Sequence, residues 1–291
     1  MCRKRVRGQC QRILGWVLAT GMLAHGVAAC HRTGRAVPQQ AIDRAVGFLA
    51  DRQNALDPVV AMLLEFVRRK FDLAQIPSQR DYVEQAWRTA LANGTVARTG
   101  DTLAALLGVF RRLIDPLARA TVADIEALRM PIDQITAMAL HCDTVPLPAD
   151  YLKTLDEMVH LGGYALTHAV LAGEWAIGNG CIVPAAFAEP RARSAAALVA
   201  QVEKERDLLT DRRMEAMVML FFMGEGRQVP DEWIALVLRK QLGTGAWPAH
   251  SNQPTVPNDH TTVLGLWLLL EAQHEGMIAP VPMVPPAGRS N

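Results

Sequence analysis

The chain runs to 291 residues, 50% of them hydrophobic and only 5% aromatic, with 30 Lys and Arg against 29 Asp and Glu. Five of the basic residues and no acidic one fall in residues 1–29, so the remainder carries a formal charge of about −4, which argues against a nucleic-acid partner. The roughly 260 residues beyond that segment suffice for one large core or two small ones, and no low-complexity linker divides them.

In chain order, Arg3, Lys4, Arg5, Arg7 and Arg12 precede an apolar run over residues 13–29 that ends in small side chains. This is a signal-peptide layout, and the run is shorter than the roughly 20 residues a spanning helix needs. Val27-Ala28-Ala29-Cys30 resembles the lipobox of bacterial lipoproteins, with Val27 where that family usually carries Leu. The resemblance implies that Cys30 is lipidated and becomes the new N-terminus, tethering the chain to a bacterial membrane. With His31 rather than Asp following, it also implies the outer membrane of a Gram-negative envelope. A plain signal peptide cut after Ala29 is the alternative, and both readings place the mature chain outside the cytoplasm. Cys2 and Cys10 leave with the signal. Of the rest, Cys142 and Cys181 remain for the folded domain, as a disulfide if geometry permits or as two buried thiols if not.

Residues 30–40 read as a linker. Beyond it two kinds of helical pattern alternate. Residues 41–53, 81–94, 196–209 and 231–242 each carry one apolar stripe beside charges, so each has a face for water. Residues 57–67, 101–110, 167–178, 214–223 and 259–270 are apolar almost all round and must be covered on both sides. Residues 121–164, with Pro131 among them, break the rhythm. The tail over 279–291 is too rich in proline for regular structure. One-sided helices wrapping fully buried ones predict an all-α domain over residues 41–278, an α/α toroid or an open α/α solenoid.

Two of the buried segments repeat. "THAVLAGEW", from Thr167, and "DHTTVLGLW", from Asp259, share a capping residue, a His, four residues, Gly, one residue and Trp. "TLAALLGVF", from Thr102, keeps the Gly and an aromatic, with Leu103 in place of the histidine. Gly inside a helix costs about 1 kcal/mol relative to Ala, so its recurrence predicts close packing at Gly108, Gly173 and Gly265. Equivalent parallel helix starts then bring His168 and His260 to one rim of the domain, with Asp57, Asp101, Asp211 and Asp259.

The stretch over residues 241–273 is similar to the terpenoid cyclase and protein prenyltransferase toroid superfamily. Gln241, Gly245 and Trp247 reproduce the Gln…Gly-x-Trp part of the QW repeat in its cyclases. Neither a DxDD nor a DDxxD motif is present, so isoprenoid chemistry does not follow from the resemblance. Prenyltransferases of this superfamily hold zinc through Asp, Cys and His at inner-helix starts. The resemblance therefore implies a zinc centre drawn from His168, His260 and Asp259, with Cys142, Asp143 or His141 as a further ligand. Alternatively Asp259 is an N-cap and the histidines pack at helix ends.

A second chemistry is acid–base catalysis by Tyr164 with His168 or His260, as in toroidal polysaccharide lyases. A third reading needs no reaction: an apolar cavity with a polar rim binds an extended glycan, peptide or lipid. Trp247 and Glu174 would line it, with His250 and Asn252 on the covering loop over residues 248–259; alternatively Glu174 turns away to an Arg. No P-loop, GxSxG or HExxH is present. The sequence thus points first to an exported envelope protein that binds an extended ligand. A metal-assisted hydrolase or His/Tyr lyase comes second, and a scaffold lipoprotein third.

Overall fold

The computed structural model describes residues 35–94, 102–205, 208–250 and 253–274. The chain divides into two units, Met1–Arg32 and Thr33–Asn291, and every described residue belongs to the second. The signal and lipobox residues up to His31, Cys30 included, lie outside the described residues, as do Asp101, Asn252 and the tail over 279–291.

The described residues form an all-α domain. Its twelve α-helices are α1 Gln39–Asp51, α2 Pro58–Lys70, α3 Arg80–Asn93, α4 Leu103–Phe110, α5 Val122–Glu126 and α6 Pro131–Leu140, followed by α7 Tyr151–Leu161, α8 Gly163–Gly178, α9 Ala188–Lys204, α10 Asp211–Phe222, α11 Asp231–Lys240 and α12 Asp259–His274. No strand occurs among the described residues, and Trp247 and Asn258 form an isolated bridge. No described helix is long and apolar enough to cross a membrane. Residues 121–164, where the alternation fails in sequence, hold α5, α6 and α7, and α5 is too short to show a period. Its start is fixed locally by a capping box in which Thr121 and Asp124 each accept from the other's backbone N–H.

The alternation is real. α10 and α12 bury nearly every residue, whereas α3 buries only Val83 and Ala90. Each even-numbered helix packs against the next, and α12 also packs against α2. Contacts at both ends show that α6 runs parallel to α8, and α12 to α2. Between α6 and α8, Thr136 meets His168 near the N-terminal ends, and a disulfide joins Cys142 to Cys181 just past the C-terminal ends. Between α12 and α2, Asp57, the cap of α2, is close enough for its charge to act on His260 at the N-terminal ends, and Lys70 pairs with Glu271 near the C-terminal ends.

Two devices fill the space between these helices. An aromatic cluster gathers Phe66, Trp175, Phe222 and Trp267 from α2, α8, α10 and α12, with Phe66 and Trp267 edge to face at 5.3 Å. The three repeat glycines supply the other. A Cβ on Gly265 would lie 2.7 Å from the Trp247 ring, one on Gly108 would lie 3.2 Å from Trp87, and Gly173 abuts Phe187 even more closely. The glycines therefore admit an aromatic ring from the surrounding layer rather than the backbone of a second helix.

The Gln241-Gly245-Trp247 motif closes the chain on itself. Gln241 donates to the Ala41 and Gly245 carbonyls and accepts from Arg44, tying the approach to α12 onto α1. Gly245, at φ +94°, lies so close to the Arg44 carbonyl that no side chain fits there. Residues 35–38, read from sequence as linker, are also held. Arg35 donates its backbone N–H to the Ala272 carbonyl, and Val37 is buried.

Gly265→Ala gains helix propensity but drives a methyl into Trp247, so it is expected to lower stability by about 1–3 kcal/mol in urea denaturation. Reducing the 39-residue loop closed by Cys142 and Cys181 is expected to cost about 4 kcal/mol on the chain-entropy estimate, read as a lower denaturation midpoint with dithiothreitol.

Candidate functional site

Parallel packing puts the N-termini of α8, α10 and α12 together, and the polar side chains of their first turns meet there. Asp211 is the first residue of α10, set by the Thr210 cap, whose hydroxyl accepts from Arg213 N–H. Its carboxylate takes hydrogen bonds from both neighbours. The Tyr164 hydroxyl on α8 donates at 3.0 Å, the Thr261 hydroxyl on α12 donates at 2.8 Å, and His260 Nδ1 lies 3.1 Å from each oxygen. The Asp211 backbone N–H donates to Ala249 O, which fastens the loop before α12 to the same point.

One turn further along α10, Glu215 is buried among α8, α10 and α12, near the Thr167 hydroxyl. His168 stands one residue beyond Thr167. The Thr136 hydroxyl donates to Ile132 O, so its oxygen accepts from His168 Nδ1 at 3.2 Å.

These five titratable groups, Asp211, Glu215, His260, His168 and Tyr164, ionise in opposed directions. Burial acts on Asp211 against its charge, but hydrogen bonds from His260, Thr261 and Tyr164 outweigh it and hold the carboxyl below its usual range. Burial drives Glu215 the other way, up to about 7; His260 and Thr167 pull it down and Asp211 pushes it further up. For His260 burial favours the neutral ring, but the bond to Asp211 and the charges of Asp211, Glu215 and Asp57 raise it overall. His168 falls to about 4, through burial first and the charge of His260 second. Burial and then Asp211 raise Tyr164, so its hydroxyl stays a donor. Near neutrality the cluster holds a carboxylate, a carboxyl midway through its titration and a histidine inclined to carry a proton.

Of the sequence-derived candidates, Tyr164 and His260 are brought together, through Asp211. His168 is close enough to feel the charge of His260 but is bonded to Thr136 rather than to Tyr164. The proposed zinc ligands do not assemble. Cys142 is committed to its disulfide, Asp143 pairs with the buried Arg112 past the end of α6, and Asp259 is gripped by both Nε and Nη2 of Arg52 at 2.8 and 2.9 Å. His141 is buried, with Nε2 at 2.8 Å from Val109 O. Among the described residues no three His, Cys, Asp or Glu side chains stand where they could share a metal ion.

The expected cavity residues are also displaced. Glu174 turns to the outer layer and pairs with Arg191 on α9, which draws it away from any central cavity. Trp247 is fully buried, with its N–H donating to Val237 O, and acts as the wedge against Gly265 rather than as a ligand contact. His250 is exposed, one residue past the Ala249 carbonyl that binds Asp211. Glu215 and Thr261 went unrecognised in the sequence; the signal for Glu215 was a lone acid in the apolar run of α10.

Comparison of the chain with protein-family models, with curated proteins and with solved structures gives no match.

A carboxyl raised on folding holds extra protons between its unfolded and folded pKa, so its contribution to stability is lost as pH rises through that window. Taking Glu215 from 4.5 to about 7, Glu215→Gln is expected to gain about 3 kcal/mol relative to wild type between pH 4.5 and 7, read from urea midpoints at each pH. His168 titrates with the opposite sign, and His168→Gln is expected to gain on wild type as pH falls from 6.5 to 4.

Proposed function

We propose that this is an exported, lipid-anchored envelope protein whose α/α toroid binds an extended, uncharged glycan at the rim formed by the even-numbered helix starts and hydrolyses it there. The observation that carries the reaction is the pair of carboxyls one helical turn apart on α10, Asp211 held ionised and Glu215 held protonated to about 7. Neighbouring carboxyls pushed apart in this way match the division of labour between acid and base in glycoside hydrolysis.

Four glutamates lie on the even-numbered helices. Glu65 is met by Arg68, Glu174 by Arg191 and Glu271 by Lys70, as buried structural carboxylates are. At Glu215 the charges acting are His260 and Asp211.

In this reading Glu215 gives its proton to the glycosidic oxygen as the C1–O bond breaks. Water attacks C1, and its proton passes to the Asp211–His260 pair. The Asp211 carboxylate suits the positive charge that grows on the sugar ring in the transition state. Tyr164, kept protonated and donating to Asp211, leaves its oxygen to accept from a sugar hydroxyl, which speaks against its acting as the base of an elimination.

The toroid is supported by the circuit of contacts from α2 through α12 and back to α2. Export is supported by the disulfide, since such bonds persist in oxidising compartments, and the lipid anchor by the lipobox-like residues ending at Cys30.

The test is cleavage of neutral oligosaccharides by the full-length chain in oxygen-labelled water. Label at a new reducing end is expected, with Asp211→Asn and Glu215→Gln each at least 100-fold slower while still folded, as judged by thermal melting. An unsaturated product would instead indicate elimination. Absence of cleavage, or variants as active as wild type, would remove the hydrolase assignment.

A further inference from the structure

Along α1, Arg44, Gly47, Phe48, Asp51 and Arg52 recur at the spacing of one helix face, beside the buried stripe of Ala41, Ile42, Ala45, Val46 and Leu49. With Thr244 from the loop after α11 they bound an open groove of about 550 Å³. Gly47 is out of place. It stands in the body of a helix, where Gly costs about 1 kcal/mol relative to Ala, yet a Cβ there would meet nothing within 4 Å. Gly108, Gly173 and Gly265 each make room for a ring of this same chain. At Gly47 the room lies on the groove.

The groove adjoins the rim. Arg52, one of its walls, holds Asp259, the residue before His260. Arg44, another, is fixed by Gln241. Both guanidinium groups are therefore set in place before any ligand arrives, and Arg52 also lies 5.5 Å from the Phe48 ring centre. An aromatic ring, charges of both signs and a hydroxyl are the contacts a sugar unit needs: an apolar surface for its C–H face and partners for its hydroxyls.

We infer that this groove is an outlying subsite that receives further sugar units of an uncharged glycan whose scissile bond lies at Asp211 and Glu215. The inference rests on the hydrolase reading above and adds the substrate class, a chain of several sugars rather than a disaccharide.

Gly47→Gln, made in the full-length chain, fills the groove without touching the core. Binding of chito- and cello-oligosaccharides is measured by calorimetry on a Glu215→Gln background, so that nothing is consumed, and cleavage is measured with Glu215 intact. The expected result is an unchanged or higher melting temperature, hexasaccharide binding weaker by about tenfold, and disaccharide cleavage unaltered. Equal hexasaccharide affinity with and without Gly47→Gln would overturn the subsite while leaving the hydrolase reading in place. Weaker binding in a chain that cleaves nothing would uphold the subsite and remove the hydrolase. If the parent chain binds none of these sugars, the subsite falls at once.

Discussion

The Asp211 carboxylate is the point on which the rim depends. It starts α10, accepts from α8 through Tyr164 and from α12 through Thr261 and His260, and anchors the loop before α12 through its own backbone N–H. A carboxylate this enclosed would be driven to protonate if it stood alone. Three side-chain donors keep it ionised, the positive end of the α10 dipole acts in the same sense, and its charge then orders its surroundings. It raises His260, keeps Tyr164 protonated and adds to the burial that protonates Glu215.

The opposite end of the even-numbered helices supplies the rigidity this requires. The Cys142–Cys181 bridge, the buried Lys70–Glu271 pair and the edge-to-face ring cluster fix α2, α6, α8, α10 and α12 relative to one another. Acid–base chemistry tolerates errors of well under an ångström, so a polar rim is useful only above such a base. The same division explains why His260, unlike His168 in the second turn of α8, stands at a helix start. There a titratable ring reaches both water and the helix beneath, whereas deeper in the bundle it would only pack.

The architecture was legible in the sequence because covering a helix on one side or on both leaves different patterns, and chain-local patterns survive translation into structure. The repeat with Gly173 and Gly265 located the start of α12 and with it His260, but α8 begins at Gly163, so Thr167 is not its cap and lies within the helix, where its hydroxyl donates to Tyr164 O. What failed were assignments that depend on partners brought from far along the chain. A lone Glu in an apolar run reads alike at Glu174 and Glu215. One meets Arg191 and becomes a structural ion pair; the other is buried beside His260 and Asp211 and its pKa is raised to about 7, by burial first. Cys142, Asp143 and Asp259 carry the right donor atoms for zinc, but a disulfide, Arg112 and Arg52 had already taken them.

The same logic of partners separates the four glycines inside helices. In sequence Gly47, Gly108, Gly173 and Gly265 are equal breaches of helix propensity. Structure divides them by what occupies the space their missing side chains leave. Trp87, Phe187 and Trp247 fill three of those spaces, and each ring stabilises the packing by more than the glycine costs. On α1 the space opens on a groove whose polar walls are already braced by Gln241 and Asp259. A conformational cost with no internal return, next to side chains already held in place, is the observation on which the proposed subsite rests.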